Sequence, residues 1–527
     1  MSSHGAQRLV AAPTLFEEAV MRRLLVVAVA LVAVFGMVVP AMAQAPAPKV
    51  TITGIIDQIG TYTSNMSKYD NNYGRSQDDE AYGRTRGRFD IVGEVGQAKA
   101  VLGFEIDAYW GQSGNTDSAV TGGKQGFGAN IGWDQNTDSL GIEVKWLYTE
   151  FPMFLVPDTR VRLGAQPYGT AATYKLAAYA NGDFPGVNWV TRFGPAAALN
   201  LTYSQVEEEF TGRDWSNATN PLRGEDWVII ASFDFSPFKG LDIKPMYSYF
   251  HASGVTGGAA RQGRGGIANS AAVFANGDVE GRHTLGVDAR WTAGPISVHP
   301  TVLYQFGSRD TTIGGVGREA DISAWFADVR AGFQVGPLTI SGMAMYTTGN
   351  DADDDIAGDE VNFYQPLSTD ASYGADWGTQ IYSLGIDYFN ILYTSASGLS
   401  PGTAIGYDRY GRFQVGAKVA YAVTPAWTVG AAATAAWTAK EVDTDSTLSA
   451  AAGLTPSAGA DGDERYLGTE VNLSTTYRFA PGIAFDLAGG YLFAGDALGH
   501  STTGAFQTGA NDPDDVFIAT SRVRFSF

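Results

Sequence analysis

The sequence contains no cysteine. That excludes disulfides, thiolate metal centres, a cysteine nucleophile and haem attached through C-x-x-C-H. Histidine is scarce: only His251, His283, His299 and His500 follow residue 43, which leaves little material for a Ser–His hydrolase. Positive charge is in deficit, 35 Lys and Arg against 55 Asp and Glu, a formal net charge of -20. Nucleic acid is therefore not an expected partner, since phosphate binding needs a basic face. Beyond residue 40 no apolar run reaches the length of a membrane helix, and mean hydropathy is only -0.08. Yet aromatics make up 12% of the chain, too many for a disordered polymer.

The one long apolar run lies near the start. Arg22 and Arg23 precede apolar residues from Leu24 to Val39, and "PAMAQ" then places Ala41 and Ala43 in a small-residue cleavage pattern. Residues 1–43 read as a secretory signal region cut after Ala43, with Met21 as an alternative start. Residues 44–48 read as a short linker, and 49–527 as one domain.

From Lys49 onward almost every apolar segment alternates with period two, the pattern of strands with one apolar face. In "AVLGFEIDAYW", Ala100, Leu102, Phe104, Ile106, Ala108 and Trp110 oppose Glu105 and Asp107. In "LGIEVKWLY", Leu140, Ile142, Val144, Trp146 and Tyr148 oppose Glu143 and Lys145. "RFQVGAKVAYAV" and "TEVNLSTTYRF" repeat the pattern. Aromatics cap many of the apolar stripes, as interfacial girdles do. Connections alternate too. Eight short Gly- or Pro-bearing turns lie near 96, 152–157, 194, 236, 293, 336, 424 and 480, between long polar segments such as 112–138, 253–280 and 439–464. Short turns on one rim and long loops on the other describe an all-β, antiparallel up-and-down transmembrane β-barrel. Eight short turns give about 18 strands, within a range of 16–20. The segment 348–409 is read as one long structured loop; as a wall hairpin it would raise the count to 20. Pro245 and Pro300 fall inside strands, where bulges or short strands are expected.

The last strand carries the most specific signal. Phe517, Ala519, Ser521, Val523, Phe525 and Phe527 share one face, and Arg522 and Arg524 the other. With the signal region, the early first strand and the final aromatic strand, the chain resembles a Gram-negative outer-membrane porin. The resemblance spans Lys49 to Phe527 and implies a cell outer-membrane location. It implies contact with outer-membrane lipid and lipopolysaccharide, and a barrel-assembly machinery that reads Phe525 and Phe527 as a signal. It implies small hydrophilic solutes as cargo, needs no cofactor or metal, and allows a homotrimer. The acidic motif common in the third, constricting loop is not visible; the segment in that position offers only Lys175 and Asp183.

A cation facing lipid at mid-membrane costs about 2–4 kcal/mol, so strand charges should face the lumen. The expected pore-lining set is Arg84, Arg86, Arg88, Glu105, Asp107, Glu143, Lys145, Arg160, Arg162, Arg192, Asp288, Arg290, Lys418, Arg478, Arg522 and Arg524. Barrel closure brings Arg522 and Arg524 within one strand of Arg84, Arg86 and Arg88, and a net basic wall with a modest anion preference is expected there. Asp351, Asp353 and Asp355 begin with calcium-loop spacing, but Asn362 stands where the bidentate Glu belongs, so no EF-hand site is assigned. The expected function is a passive diffusion channel, not an enzyme. A scaffold barrel sheathing a partner protein, a surface adhesin and an outer-membrane hydrolase are the alternatives.

Overall fold

The computed structural model describes residues 47–66, 79–110, 132–133, 142–169, 178–208, 225–253, 278–356, 358–367, 377, 379–382, 410–442, 462–498 and 513–527. Residues 1–43, expected from sequence as a signal region, lie outside them. Residues Lys49–Phe527 form one compact unit.

Twenty strands form one sheet, of which two are two-residue pieces that pair in parallel: Gly132–Trp133, and Glu360–Val361 beside Asp321 and Ile322. The other eighteen make the wall. They are β1 (Lys49–Ser64), β2 (Asp79–Val95), β3 (Ala98–Trp110), β4 (Glu143–Pro152), β5 (Thr159–Gly169) and β6 (Asn181–Arg192). Next come β7 (Ala197–Glu208), β8 (Glu225–Phe238), β9 (Leu241–Ser253), β10 (Val279–Ala293), β11 (Ile296–Ile313) and β12 (Val316–Val335). The ring is completed by β13 (Leu338–Thr347), β14 (Arg412–Thr424), β15 (Trp427–Val442), β16 (Glu464–Ala480), β17 (Ile483–Ala494) and β18 (Val516–Ser526). Each pairs antiparallel with the next, and β18 pairs with β1 from Ile55↔Ser526 to Ser64↔Phe517. The sheet therefore has no free edge, the condition for a strand wall in lipid. Phe527 is held at the seam: its N–H donates to Gly54 O at 3.1 Å, and Gly54 N–H donates to Phe527 O at 3.0 Å.

The outer face is apolar and exposed wherever the alternation puts it: Val471, Leu473, Tyr477 and Phe479 on β16, and Phe517, Val523, Phe525 and Phe527 at the end of the chain. One stretch departs from the expected alternation. Gly103 opposes Trp146 but Phe104 opposes Val144, so Lys145 is an extra residue in β4. A bulge of this kind flips every later side chain. Below it Leu147 is exposed on the outside, while Tyr148 is buried, its ring 4.8 Å from the Arg162 guanidinium. Trp146 and Tyr148 thus leave the outward stripe assigned to them from sequence. The prolines depart in the opposite sense: neither makes a bulge. At Pro245 the ladder to β10 runs unbroken while that to β8 skips Lys244 and Pro245; the nearby register shift falls at Leu241/Ile243. At Pro300 the ladder to β12 is continuous, and the one to β10 resumes in the same register, Asp288↔Thr301 and Trp291↔Val298. Each ring is accommodated by omitting rungs on one side only.

Among the described residues the segment 348–409 contributes no wall strand: β13 pairs directly with β14, from Leu338↔Tyr421 to Thr347↔Arg412. The eight short turns share one rim. On the other rim, β11 and β12 are joined tightly at Gly314 and Gly315, with φ of 59° and 81°, as a two-residue hairpin turn requires. This hairpin outreaches its neighbours. Its outward residues change from Tyr304, Phe306 and Trp325 to Ser308, Asp310, Glu319 and Asp321. That change marks the upper edge of the apolar band. Gly307 lets β11 pass close to β10: its φ is +144°, and an added Cβ would lie 1.9 Å from Gly281 O. Gly307→Ala is expected to destabilise the barrel by about 1–3 kcal/mol. A lower midpoint in urea unfolding of the detergent-refolded protein checks this; an unchanged midpoint refutes it.

Candidate functional site

One group of interior charges lies on β17, β18 and β1–β6. Arg86, fully buried, donates from Nε and Nη2 to the two oxygens of Asp107 at 2.8 and 2.6 Å, and from Nη2 to Glu105 at 3.1 Å. Arg84, also fully buried, lies 3.4 Å from Asp107. Arg88 donates to Glu105. Lys145 sits between Glu105 at 3.5 Å and Asp183 at 3.3 Å, and Trp146 Nε1 donates to Asp183 at 2.6 Å. Across the seam, Arg524 grips both oxygens of Asp57 at 2.7 and 2.6 Å. Arg522 donates twice to Asp486 Oδ2, at 2.9 and 2.7 Å. Nearer the short-turn rim, Arg160, Arg162 and Lys99 share the one carboxylate of Glu150, at 2.7, 3.0 and 3.3 Å.

The register explains why these groups meet. Arg524 opposes Asp57, Asp57 opposes Arg86, and Arg86 opposes Asp107, so one row crosses four strands. The arginines are thus interleaved with carboxylates. Asp57 and Asp486 did not enter the sequence expectation of a net basic wall, because each is a single acid on a strand whose inward face is otherwise neutral: Ile55, Ile59 and Thr61 flank Asp57 on β1, and Ala484 and Ala488 flank Asp486 on β17. Within several pairs the cation is the partner more exposed to the lumen. Arg88 is 31% exposed against 4% for Glu105, Arg524 30% against 1% for Asp57, and Arg160 41% against 11% for Glu150.

Other expected residues stand apart from this row. Asp288 is buried and accepts from Thr301 Oγ1 at 2.6 Å, and Arg290 donates to Thr292 at 3.2 Å. Lys418 lies 4.8 Å over the Trp377 ring. Glu143 is exposed at the start of β4, and Arg192 and Arg478 are exposed near the short-turn rim. Lys175 falls outside the described residues. So does the string GLSPG at 398–402, which has the spacing of a nucleophile elbow.

In an eighteen-strand ring β10 stands opposite β1, and there the interior holds a buried apolar cluster beside ion pairs of Glu280 with Arg282 and Arg309 and of Asp328 with Arg330. Val228, Ile230, Met246, Phe250, Leu303, Phe326 and Met345 face inward from β8–β13 and are buried. Two loop segments cover them. Ala178–Ala180, from the connection between β5 and β6, packs against Tyr364 and Leu367, from the connection between β13 and β14. Leu367 N–H donates to Tyr179 O at 2.8 Å, and Tyr364 Oη donates to Ala178 O at 2.8 Å. Tyr179 Oη reaches Ser248 at 2.9 Å. Gln365 and Gln305 exchange bonds at 2.8 Å in both directions, and Arg309, paired with Glu280 at 2.9 Å, also donates to Gln365. Part of the segment expected as one long extracellular loop therefore lies inside the lumen. An inward apolar patch on alternating strands could have signalled this, since it needs a cover in a wet interior.

On the outside of the same strands runs a belt of rings. Trp227 lies 5.6 Å from Tyr249, Tyr249 4.8 Å from His283, His283 4.8 Å from Phe306 and Tyr304 4.5 Å from Trp325. His283 thus belongs to an aromatic girdle on the lipid side, away from any solute path. A closed wall, an outward apolar band with an aromatic edge and a charged, loop-narrowed lumen make the architecture of an outer-membrane porin.

No family model matches the chain, and no curated protein matches it. Solved structures do. The crystal structure of Pseudomonas aeruginosa OccK8 (OprE) aligns over 91% of this chain and 98% of its own, with 11% identity and a TM-score of 0.47. Acinetobacter baumannii OccAB4 aligns over 90% and 98%, with 9% identity and a TM-score of 0.47. Pseudomonas aeruginosa OpdL aligns over 91% and 99%, with 9% identity and a TM-score of 0.46.

Proposed function

We propose that the protein is a passive, non-enzymatic diffusion channel for small hydrophilic solutes or ions, with a modest preference for anions. Wall dimensions support a pore. Strands about 4.8 Å apart, tilted by about 40°, give an eighteen-strand backbone radius of about 18 Å. Inward side chains cannot fill that width, so the loops determine what remains open.

The observation that carries the charge preference is the layering within the ion pairs. Arg88, Arg524 and Arg160 lie toward the water over carboxylates that are nearly covered. At these three pairs a permeating ion meets guanidinium first, whereas Asp107 and Asp183 are the more exposed partners of theirs; the charges act in a confined lumen where low-dielectric walls focus the field. The -20 formal charge of the chain includes loop carboxylates that bulk salt screens over about 8 Å. On the same reading the protein is folded by the barrel-assembly machinery, meets lipopolysaccharide at its outer rim and assembles as a homotrimer, which cross-linking in native membranes tests.

Conductance of refolded protein in a planar bilayer tests the central reading. Discrete steps and a zero-current potential of anionic sign in a salt gradient are expected. A correctly folded barrel without steps would favour a sheath around a partner protein instead.

A further inference from the structure

We propose that Glu470 is the latch that holds the segment Thr379–Tyr382, from the connection between β13 and β14, against the inner wall of the barrel, and is thus a positioning residue that sets the open cross-section of the pore. This inference rests on the channel reading above. The segment Thr379–Tyr382 crosses the inner surface of β16 and β17. Three consecutive backbone amides there point at one carboxylate. Gln380 and Ile381 donate to Glu470 Oε1 at 2.7 and 2.9 Å, and Tyr382 donates to Oε2 at 2.7 Å. Glu470 is fully buried. A carboxylate out of water is costly unless its lone pairs are satisfied, and successive amides aimed at one point form a concavity suited to an anion.

Nothing in the wall itself requires an acid at this position. The inward neighbours on the same strand, Asn472, Ser474 and Thr476, are neutral. Asn472 Oδ1 also accepts from Gln380 N–H, at 3.0 Å. The surrounding wall is cut away to fit the loop. At Gly490 a Cβ would lie 2.6 Å from Asn472 Oδ1, 3.0 Å from Glu470 Oε1 and 3.1 Å from Gln380 Cβ, and at Gly416 one would lie 2.7 Å from Thr434 Oγ1 and 2.8 Å from Trp377 Nε1, so both glycines make room for the loop and for the wall side chains that bind it. Trp377 Nε1 donates to Thr434 Oγ1 at 2.9 Å, and Tyr382 Oη donates to Gly468 O at 2.7 Å. Ile381 and Tyr382 pack with Leu467, Leu492 and Ile518. The amides contribute directional bonds to a charged acceptor, each stronger than a neutral pair. Glu470 thus accepts from three successive amides of the segment 379–382.

The absence of native cysteine makes the test direct. Thr379, 1% exposed, is replaced by cysteine and labelled with a charged, membrane-impermeant thiol reagent in detergent-refolded barrels. The Thr379→Cys protein should label slowly. Adding Glu470→Ala should accelerate labelling about tenfold or more, and adding Glu470→Gln, which preserves volume but loses acceptor capacity, should accelerate it to a smaller degree. Equal labelling in all three overturns the latch, whether or not the protein conducts, so this arm is separate from the channel reading. Should Glu470→Ala fail to fold, the Glu470→Gln comparison decides alone. A second arm uses Gln380→Cys with Gly490→Cys, whose Cβ spacing is within a few tenths of an ångström of disulfide range. In the Glu470→Gln background, reduction of this bridge should raise conductance and flicker, and reoxidation should restore the parent values. Conductance indifferent to the bridge would show that the segment does not limit the pore.

Discussion

Deleting Phe527 is expected to lower the amount of protein assembled in the outer membrane about tenfold or more, because a barrel whose closing ladder is incomplete leaves polar backbone facing lipid. Two backbone bonds between Phe527 and Gly54 end the ladder between β18 and β1. The Phe527 ring also covers Gly54, where its Cζ lies 3.0 Å from an added Cβ, and it neighbours Phe89 at 6.0 Å and Phe525 at 5.5 Å. An aromatic laid over a strand glycine restores the packing that the missing side chain would give. Phe527→Ala preserves most of the ladder and loses the ring, so it should fall between the parent and the deletion. Refolding into detergent separates two contributions. If Phe527→Ala refolds like the parent but is depleted in membranes, the ring is read by the assembly machinery; if both fall together, the ring acts through the seam. Membrane yields of the deletion equal to the parent would remove both accounts.

Much of this wall was legible in the sequence. The period-two stripes and the eight short turns located the wall strands, and the last strand announced closure through its alternating Phe and Arg. What escaped had a common physical origin: it depended on a single residue or on contacts remote in sequence. The one extra residue at Lys145 reverses the faces of Trp146 and Tyr148, and a period count cannot register a bulge before the partner strand is known. The prolines misled because a strand bonds on two sides, and only one need lose its rungs. Asp57 and Asp486 carry no local pattern, yet they turn an apparent row of arginines into alternating charge. The inward course of residues 363–367 and 379–382 is fixed by Gln305, Glu470 and Tyr179, whose bonds span 60, 88 and 188 positions in sequence, separations that no window spans.

Arg88→Gln combined with Arg524→Gln is expected to turn the pore toward cations, with a shift in zero-current potential larger than any produced by neutralising loop carboxylates. The argument rests on what each substitution uncovers. Arg88 covers Glu105, and Arg524 covers Asp57 through two bonds of 2.7 and 2.6 Å. Removing both guanidiniums subtracts two positive charges from the lumen and exposes two carboxylates to the permeating water. Charge at the narrow wall then changes in both amount and position, inside a low-dielectric sleeve where it is weakly screened. The cost to the fold should be moderate, since Glu105 retains Arg86 at 3.1 Å and Lys145 at 3.5 Å. Arg86→Gln is the contrasting variant. Arg86 is fully buried and bonded to both Glu105 and Asp107, and removing one partner of such a buried cluster typically costs about 3–5 kcal/mol. It should therefore reduce folding yield first and selectivity second. Recording reversal potentials of the three proteins in a salt gradient separates these roles. An unchanged potential in the Arg88→Gln, Arg524→Gln protein would show that permeating ions do not pass this wall, and would move control of selectivity to the loops.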